Sequence, residues 1–249
     1  MKKHDAVLWI GFAVYIFLQC TMKTSQWNIL TVFTTAMGVV LLIKTGRPSG
    51  KHMVISAVLA VLAAAAYLGY KRDPAVLIYG LISAGIPTLI SMSAVFSVME
   101  RYGGYQFINR KGKHPVLISL AIAVIIGAGL SVINQMLPGE KGEAGFSLWK
   151  LLLALNPGIF EEAACRAVFM AYCIRFSEGR KMGIGSAFTM YFMMFIPHAA
   201  VHGFGLRETV MIGLMFGLPF TIMQRKLDIA SSMVSHWLVD VVRFVCNGI

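Results

Sequence analysis

Apolar residues run along this chain in long blocks, separated by short clusters of Lys, Arg, Gly and Pro. A helix that crosses the hydrocarbon core of a bilayer needs about 20 mostly apolar residues. Blocks of that length predict nine helical spans, near 6–22, 27–44, 52–70, 75–98, 115–137, 148–174, 183–203, 207–224 and 229–246. The count becomes eight if one of the first three lies along the membrane surface. The breaks carry turn chemistry: Gly46, Pro48 and Gly50 between Lys44 and Lys51, Gly103 and Gly104 between Arg101 and His114, and Pro138 and Gly139 between Leu137 and Gly142. The expected fold is therefore all-α, a polytopic membrane helical bundle of about eight to nine transmembrane helices.

Composition agrees with the pattern. Hydrophobic residues make up 57% of the 249, charged residues 13%, and the mean hydropathy is +0.73. A soluble domain carries about 25% charged residues, so lipid must cover much of this surface. The net charge of +11 does not indicate nucleic acid, because the cations sit in short clusters and form no basic face with interleaved aromatics. Cationic loops suit anionic lipid headgroups and the insertion machinery instead.

Alternate loops differ in charge. The N-terminus and every second loop hold 14 cations: Lys2, Lys3, Lys44, Arg47, Lys51, Arg101, Arg110, Lys111, Lys113, Arg175, Arg180, Lys181, Arg225 and Lys226. The other side holds 7, namely Lys23, Lys71, Arg72, Lys141, Lys150, Arg207 and Arg243, and Arg166 lies within a span. The bias predicts a cytoplasmic N-terminus and an external C-terminus, and the lysine and methionine usage is compatible with a bacterial plasma membrane. The first apolar run follows Lys2 and Lys3 as in a signal peptide, but no cleavage pattern ends it and further spans follow, so it reads as a retained helix. Cys20, Cys165, Cys173 and Cys246 show no CxxC pairing and lie in or beside apolar segments, as small hydrophobes do.

The two parts of the chain differ in chemistry. Residues 1–144 form about five ordinary spans with few polar groups at depth, whereas 145–249 form about four spans with ionisable groups in their interiors. Ionisable side chains at bilayer depth are costly and point to function. Asn156-Pro157-Gly158-Ile159-Phe160-Glu161-Glu162-Ala163-Ala164-Cys165-Arg166 places two carboxylates one turn before an arginine. Glu162 and Arg166 can pair along a helix, as in a buried structural ion pair. Glu161 points about 100° away and is left to face a cavity, and Pro157-Gly158 should break or kink the helix just before it. His198 and His202 stand one turn apart, the spacing by which two imidazoles share a metal; the alternative is one core histidine and one at the interface. His236 and Asp240 repeat the spacing, so the aspartate can orient the ring or add an oxygen ligand. Buried together, these groups satisfy one another most cheaply at one site, with the parts for a metal-activated water and a carboxylate base.

These motifs resemble those of the CPBP family of intramembrane proteases, the CAAX-processing and bacteriocin-processing (Abi) enzymes. Glu161-Glu162-x-x-x-Arg166 matches the family's first motif and His236-x-x-x-Asp240 its third, in family order over about residues 145–246. The second motif departs from the pattern, because Met194 and His198 stand where phenylalanine would precede His198 and His202. The resemblance implies that Glu161 is the general base, with Glu162 and Arg166 ordering the site. It implies that His198 or His202, with His236 and Asp240, binds a divalent metal, zinc, or stabilises the oxyanion. The reaction would be peptide hydrolysis at or within the membrane without an acyl-enzyme, and Cys165 would only pack. Precursor peptides or lipidated C-termini would be the substrates. Two alternatives stand beside it: a degenerate member that binds a partner for immunity or regulation, and an ion- or proton-coupled transporter.

Overall fold

The computed structural model describes residues 3–22, 26–136, 142, 144–202 and 205–247, with side chains from residue 9 onward. All regular structure among them is helical. The helices are α1 (Lys3–Thr21), α2 (Gln26–Thr45), α3 (Gly50–Gly69), α4 (Ala75–Tyr102) and α5 (Pro115–Gln135). After them come α6, which runs through Leu148–Leu153, Asn156–Ala167 and Val168–Ser177, then α7 (Ile184–His202), α8 (Leu206–Lys226) and α9 (Ile229–Asn247). Each falls on one of the nine expected blocks. Seven of them, all but α1 and α6, are long and apolar enough to cross a membrane. The expected turn at Pro138 and Gly139 lies outside the described residues, as do Lys2, Lys23, Lys141 and Gly203.

The faces of the helices are inverted relative to a soluble protein. In α3, Val54, Val58 and Val61 are exposed while Ser56, Ala60, Ala63 and Ala64 are buried. In α5, Leu117, Ile125 and Val132 point outward, and Ser119, Ala123, Gly127, Ser131 and Asn134 point inward. Small and hydroxylated residues let helices approach closely in lipid, while branched apolar residues face the chains. The protein is an integral-membrane helical bundle.

Two helices are buried on every side, α4 over Ser91–Val98 and α6 over Gly158–Ala171. They pack on each other at the centre, with α2 and α3 against α4, and α3, α7 and α9 against α6. The largest apolar cluster draws on the whole chain, from Phe12 and Leu30 through Met92 and Phe169 to Met190 and Ile229.

The expected break at Pro157-Gly158 takes a different form. Residues Asn156–Ala167 are π-helical, and the Val168 N–H donates to the carbonyl of Ala163, five residues back. Shorter stretches of this kind, Leu81–Gly85 and Gly213–Gly217, lie just before Pro87 and Pro219. Proline lacks the N–H that an α-turn needs and crowds the preceding carbonyl. Letting one extra residue into the turn relieves both and keeps the helix continuous.

Hydrogen bonds define the two ends of the bundle. At one end Ser97 Oγ donates to Thr45 Oγ1 at 2.7 Å, Arg225 Nη1 donates to the Gly104 carbonyl at 2.5 Å, and the Asn109 N–H donates to Asp228 Oδ2 at 3.1 Å. At the other, Gln19 Nε2 donates to the Gln26 carbonyl at 2.8 Å, and the Gly145 N–H donates to the Val245 carbonyl at 2.8 Å. The first end gathers Lys44, Arg47, Lys51, Arg101, Arg110, Lys111, Lys113, Arg175, Arg180, Lys181, Arg225 and Lys226. The second carries only Lys71, Arg72, Lys150, Arg207 and Arg243 among the described residues.

Candidate functional site

Glu161 and Glu162 leave α6 in different directions, and their surroundings give them different work. Glu162 is fully buried and held from three helices. Arg166, one turn on, pairs with its Oε1. Gln224 of α8 donates to its Oε2 at 2.8 Å, and Ser232 of α9 donates to the same oxygen at 2.5 Å. His236 Nδ1 lies 2.7 Å from Oε1. The Arg166 guanidinium lies 5.1 Å above the Phe220 ring, a cation–π contact, and that ring stacks on His236 with centroids 4.7 Å apart.

The anchoring of Glu162 fixes the chemistry of His236. An ionised carboxylate only accepts, so Nδ1 carries a proton. In the neutral ring Nε2 then presents a lone pair, the arrangement of carboxylate, histidine and metal found in metalloproteins. That nitrogen faces Asp240 Oδ2 at 3.3 Å and Glu161 Oε2 at 3.9 Å.

Glu161 is the meeting point. Its Oε2 lies 3.2 Å from His198 Nε2 and 3.5 Å from His202 Nε2. His198 is buried and His202, the last residue of α7, has a side chain 40% exposed, with the edge of Trp27 against its ring. All seven residues singled out in the sequence thus lie in one connected cluster. The sequence reading missed Gln224, Ser232 and Phe220. Ser232 was detectable in principle, since it precedes His236 by one turn on the same face of α9, but nothing in the sequence distinguishes Gln224 from an ordinary helix-end polar residue.

A cavity of about 1050 Å³ opens over Glu161. Its walls come from α2 (Trp27, Thr31), α3 and the residue after it (Tyr67, Tyr70), α4 (Tyr79, Ile82) and α8 (Ile212, Phe216), with His198, His202, His236 and Asp240 on its floor and sides. This exceeds the usual ligand pocket of about 300–1,000 Å³ and has room for several residues of an extended peptide.

The cluster fits a divalent ion. One ligand atom each from Glu161, His198 and His236 lie within 4.8 Å of one another. Bonds of 2.0–2.1 Å in a tetrahedral site separate ligand atoms by about 3.4 Å, and the distances of 3.2 Å and 3.9 Å from Glu161 Oε2 bracket that value. Glu161 Oε2 and Asp240 Oδ2 are buried and meet no donor in hydrogen-bonding geometry, while the Nε2 atoms of His198 and His236 lie 3.2 Å and 3.3 Å from them, so with neutral rings that present Nε2 lone pairs would converge here. Nitrogen and carboxylate donors together suit zinc.

The approach of α6 to α9 depends on Gly158. A Cβ there would stand 2.8 Å from the Trp237 Cβ and 3.1 Å from the Met233 carbonyl oxygen. Gly158→Ala is expected to push α9 outward, cost about 1–3 kcal/mol, and lower the melting temperature of the purified protein in detergent. An unchanged melting temperature would show that the helices are not in contact there.

Comparison of the chain with known protein families, curated proteins and solved structures finds no match.

Proposed function

We propose that this protein is an intramembrane metal-dependent endopeptidase of the CPBP type, seated in a bacterial plasma membrane with its N-terminus in the cytoplasm. The observation that carries the reading is the position of Glu161 Oε2, 3.2 Å from His198 Nε2 and 3.9 Å from His236 Nε2 beneath a cavity of about 1050 Å³. His198 and His236 would hold the ion, with His202 or Asp240 within reach as a further ligand. A divalent ion, zinc on ligand chemistry, would lower the pKa of a bound water and polarise the scissile carbonyl.

The chain's own groups supply the rest. Glu161 takes a proton from water as its oxygen attacks the carbonyl carbon, and returns the proton to the nitrogen when the C–N bond breaks. Glu162 holds His236 in the tautomer that leaves Nε2 available. Arg166, Gln224 and Ser232 fix Glu162, so the rigid part of the site lies behind the reacting face. No nucleophilic serine or cysteine is required, and Cys165 is buried among apolar neighbours.

Metal content tests the proposal. The purified protein is expected to carry about one zinc per chain by elemental analysis, and His198→Ala or His236→Ala to carry less than about a tenth of that, since removing one ligand of three strips a site. Zinc below about a tenth per chain in the wild-type, after reconstitution with excess metal, would sink the reading. The 3.3 Å contact between His236 Nε2 and Asp240 Oδ2 also supports a second reading, a metal-free imidazolium network that relays protons, and a zinc-free but folded protein would favour it.

A further inference from the structure

We infer that the cavity is entered from the extracytoplasmic face, and that the peptide it takes is a segment of an exported or membrane-anchored protein lying at the outer leaflet, not a lipidated C-terminus in the cytoplasm. The nature of the ligand rests on the peptidase reading; the side of access does not.

The first support is where the walls come from. Trp27 lies in the first turn of α2 and Tyr70 and Lys71 follow α3, while Asn134 sits in the last turn of α5 and Arg243 one turn before the end of α9. All belong to the end of the bundle at which Gln19 bonds Gln26 and Gly145 bonds Val245. His202 grades the access, because it ends α7 and is exposed while His198, one turn deeper, is 4% exposed.

The second support is what closes the other direction. Beyond Glu162, α6 is buried without interruption from Ala163 to Ala171. It is packed there by Met92, Val95, Met190 and Met193. Among the described residues no cavity wall reaches the cation-rich end from Glu161.

The third support is charge. Of the cations whose side chains the structure describes in the loops and helix ends, five lie at the end that carries the mouth and twelve at the closed end. Cytoplasmic loops collect Lys and Arg, so the closed end faces the cytoplasm and the mouth faces outward. Aromatic residues at the mouth, Trp27 and Tyr70 among them, are the types that settle at a membrane–water interface. A peptide arriving there meets an apolar wall on α4 and α8 before it meets Glu161.

Cysteine labelling in intact cells tests this. Cys20 and Cys246 are exposed and Cys165 and Cys173 are buried, so Cys20→Ser with Cys246→Ser gives a quiet background. Lys71→Cys and Arg207→Cys probe the mouth, and Lys111→Cys and Lys181→Cys the closed end. With a membrane-impermeant maleimide, the first pair is expected to label at least about tenfold more than the second in intact cells, and all four to label equally after lysis. The reverse order overturns the inference, and so does labelling of none of them before lysis. Should these variants fail to accumulate, alkaline phosphatase fused after Ile249 is expected to be active and the same fusion after Lys181 inactive, with the opposite pattern again overturning it. Zinc content on the same membranes separates the two claims, since outward labelling without zinc removes the peptidase and leaves the side of access standing.

Discussion

Glu161→Gln is expected to reduce peptide hydrolysis about 10²- to 10⁴-fold, the usual contribution of a positioned general base, while leaving the protein folded. The expectation of retained stability comes from what Glu161 does not do. Its Oε2 has no hydrogen-bond donor, whereas the neighbouring Glu162 is bonded by Arg166, Gln224, Ser232 and His236. Glutamine keeps the shape and replaces the basic carboxylate with a neutral amide. His198 and His236 remain, so more than about half of the zinc should stay bound if two imidazoles and a third group carry the ion. The measurement is cleavage of a fluorogenic peptide library by the protein in lipid nanodiscs, with melting temperature and zinc read on the same samples. Wild-type turnover in the variant would remove Glu161 from the chemistry, whereas loss of zinc together with turnover would make it a ligand before it is a base.

Arg166→Ala is expected to be the most damaging single change to stability, by about 3–5 kcal/mol, because it leaves a carboxylate buried without its countercharge. Both partners have no exposed side-chain surface, so water cannot replace the guanidinium. The paired replacement Glu162→Gln with Arg166→Met removes both charges and should recover much of that loss, since an apolar or neutral pair can match a buried ion pair in stability. It should not recover the site. Without the Glu162 carboxylate the proton on His236 Nδ1 is no longer fixed, and loss of such a partner lowers metal affinity about 10- to 100-fold. Thermal unfolding in detergent and competition with a zinc chelator separate the two effects. A double variant that binds zinc as tightly as the wild-type would mean that Glu162 is a structural ion-pair partner and nothing more.

The hydrophobic pattern was enough to read the fold, because a span of about 20 apolar residues is set by bilayer thickness and little else. The ionisable residues of the site were legible for the same reason, since a carboxylate or imidazole within such a span has few places to go. What escaped was local backbone chemistry and neutral polar partners. Pro157-Gly158 signals a disturbed helix, but a kink and a widened turn both satisfy proline, and the sequence alone does not choose between them. Gln224 and Ser232 are ordinary residues for a membrane helix until Glu162 is seen between them. The choice between His198 and His202 was open in the sequence because both have the spacing; in the fold both reach Glu161, and they differ in burial. The loop locked by Asn109 and Asp228 was equally unreadable, since its partners are 119 residues apart.

The anchoring of Glu162 from three helices bears on how the chain is made. Synthesis delivers α6 to the membrane before α7, α8 and α9. Glu162 and Arg166 arrive together and neutralise each other within their own helix, so α6 can leave the insertion channel with one internal pair already closed. Glu161 has no such companion until the histidines of α7 and α9 follow. A nascent chain therefore carries Glu161 without a partner until α7 brings His198 and His202 to 3.2 Å and 3.5 Å from it, and α9 then adds His236 at 3.9 Å. The proposed site is thus assembled only once α9 has joined α6 and α7.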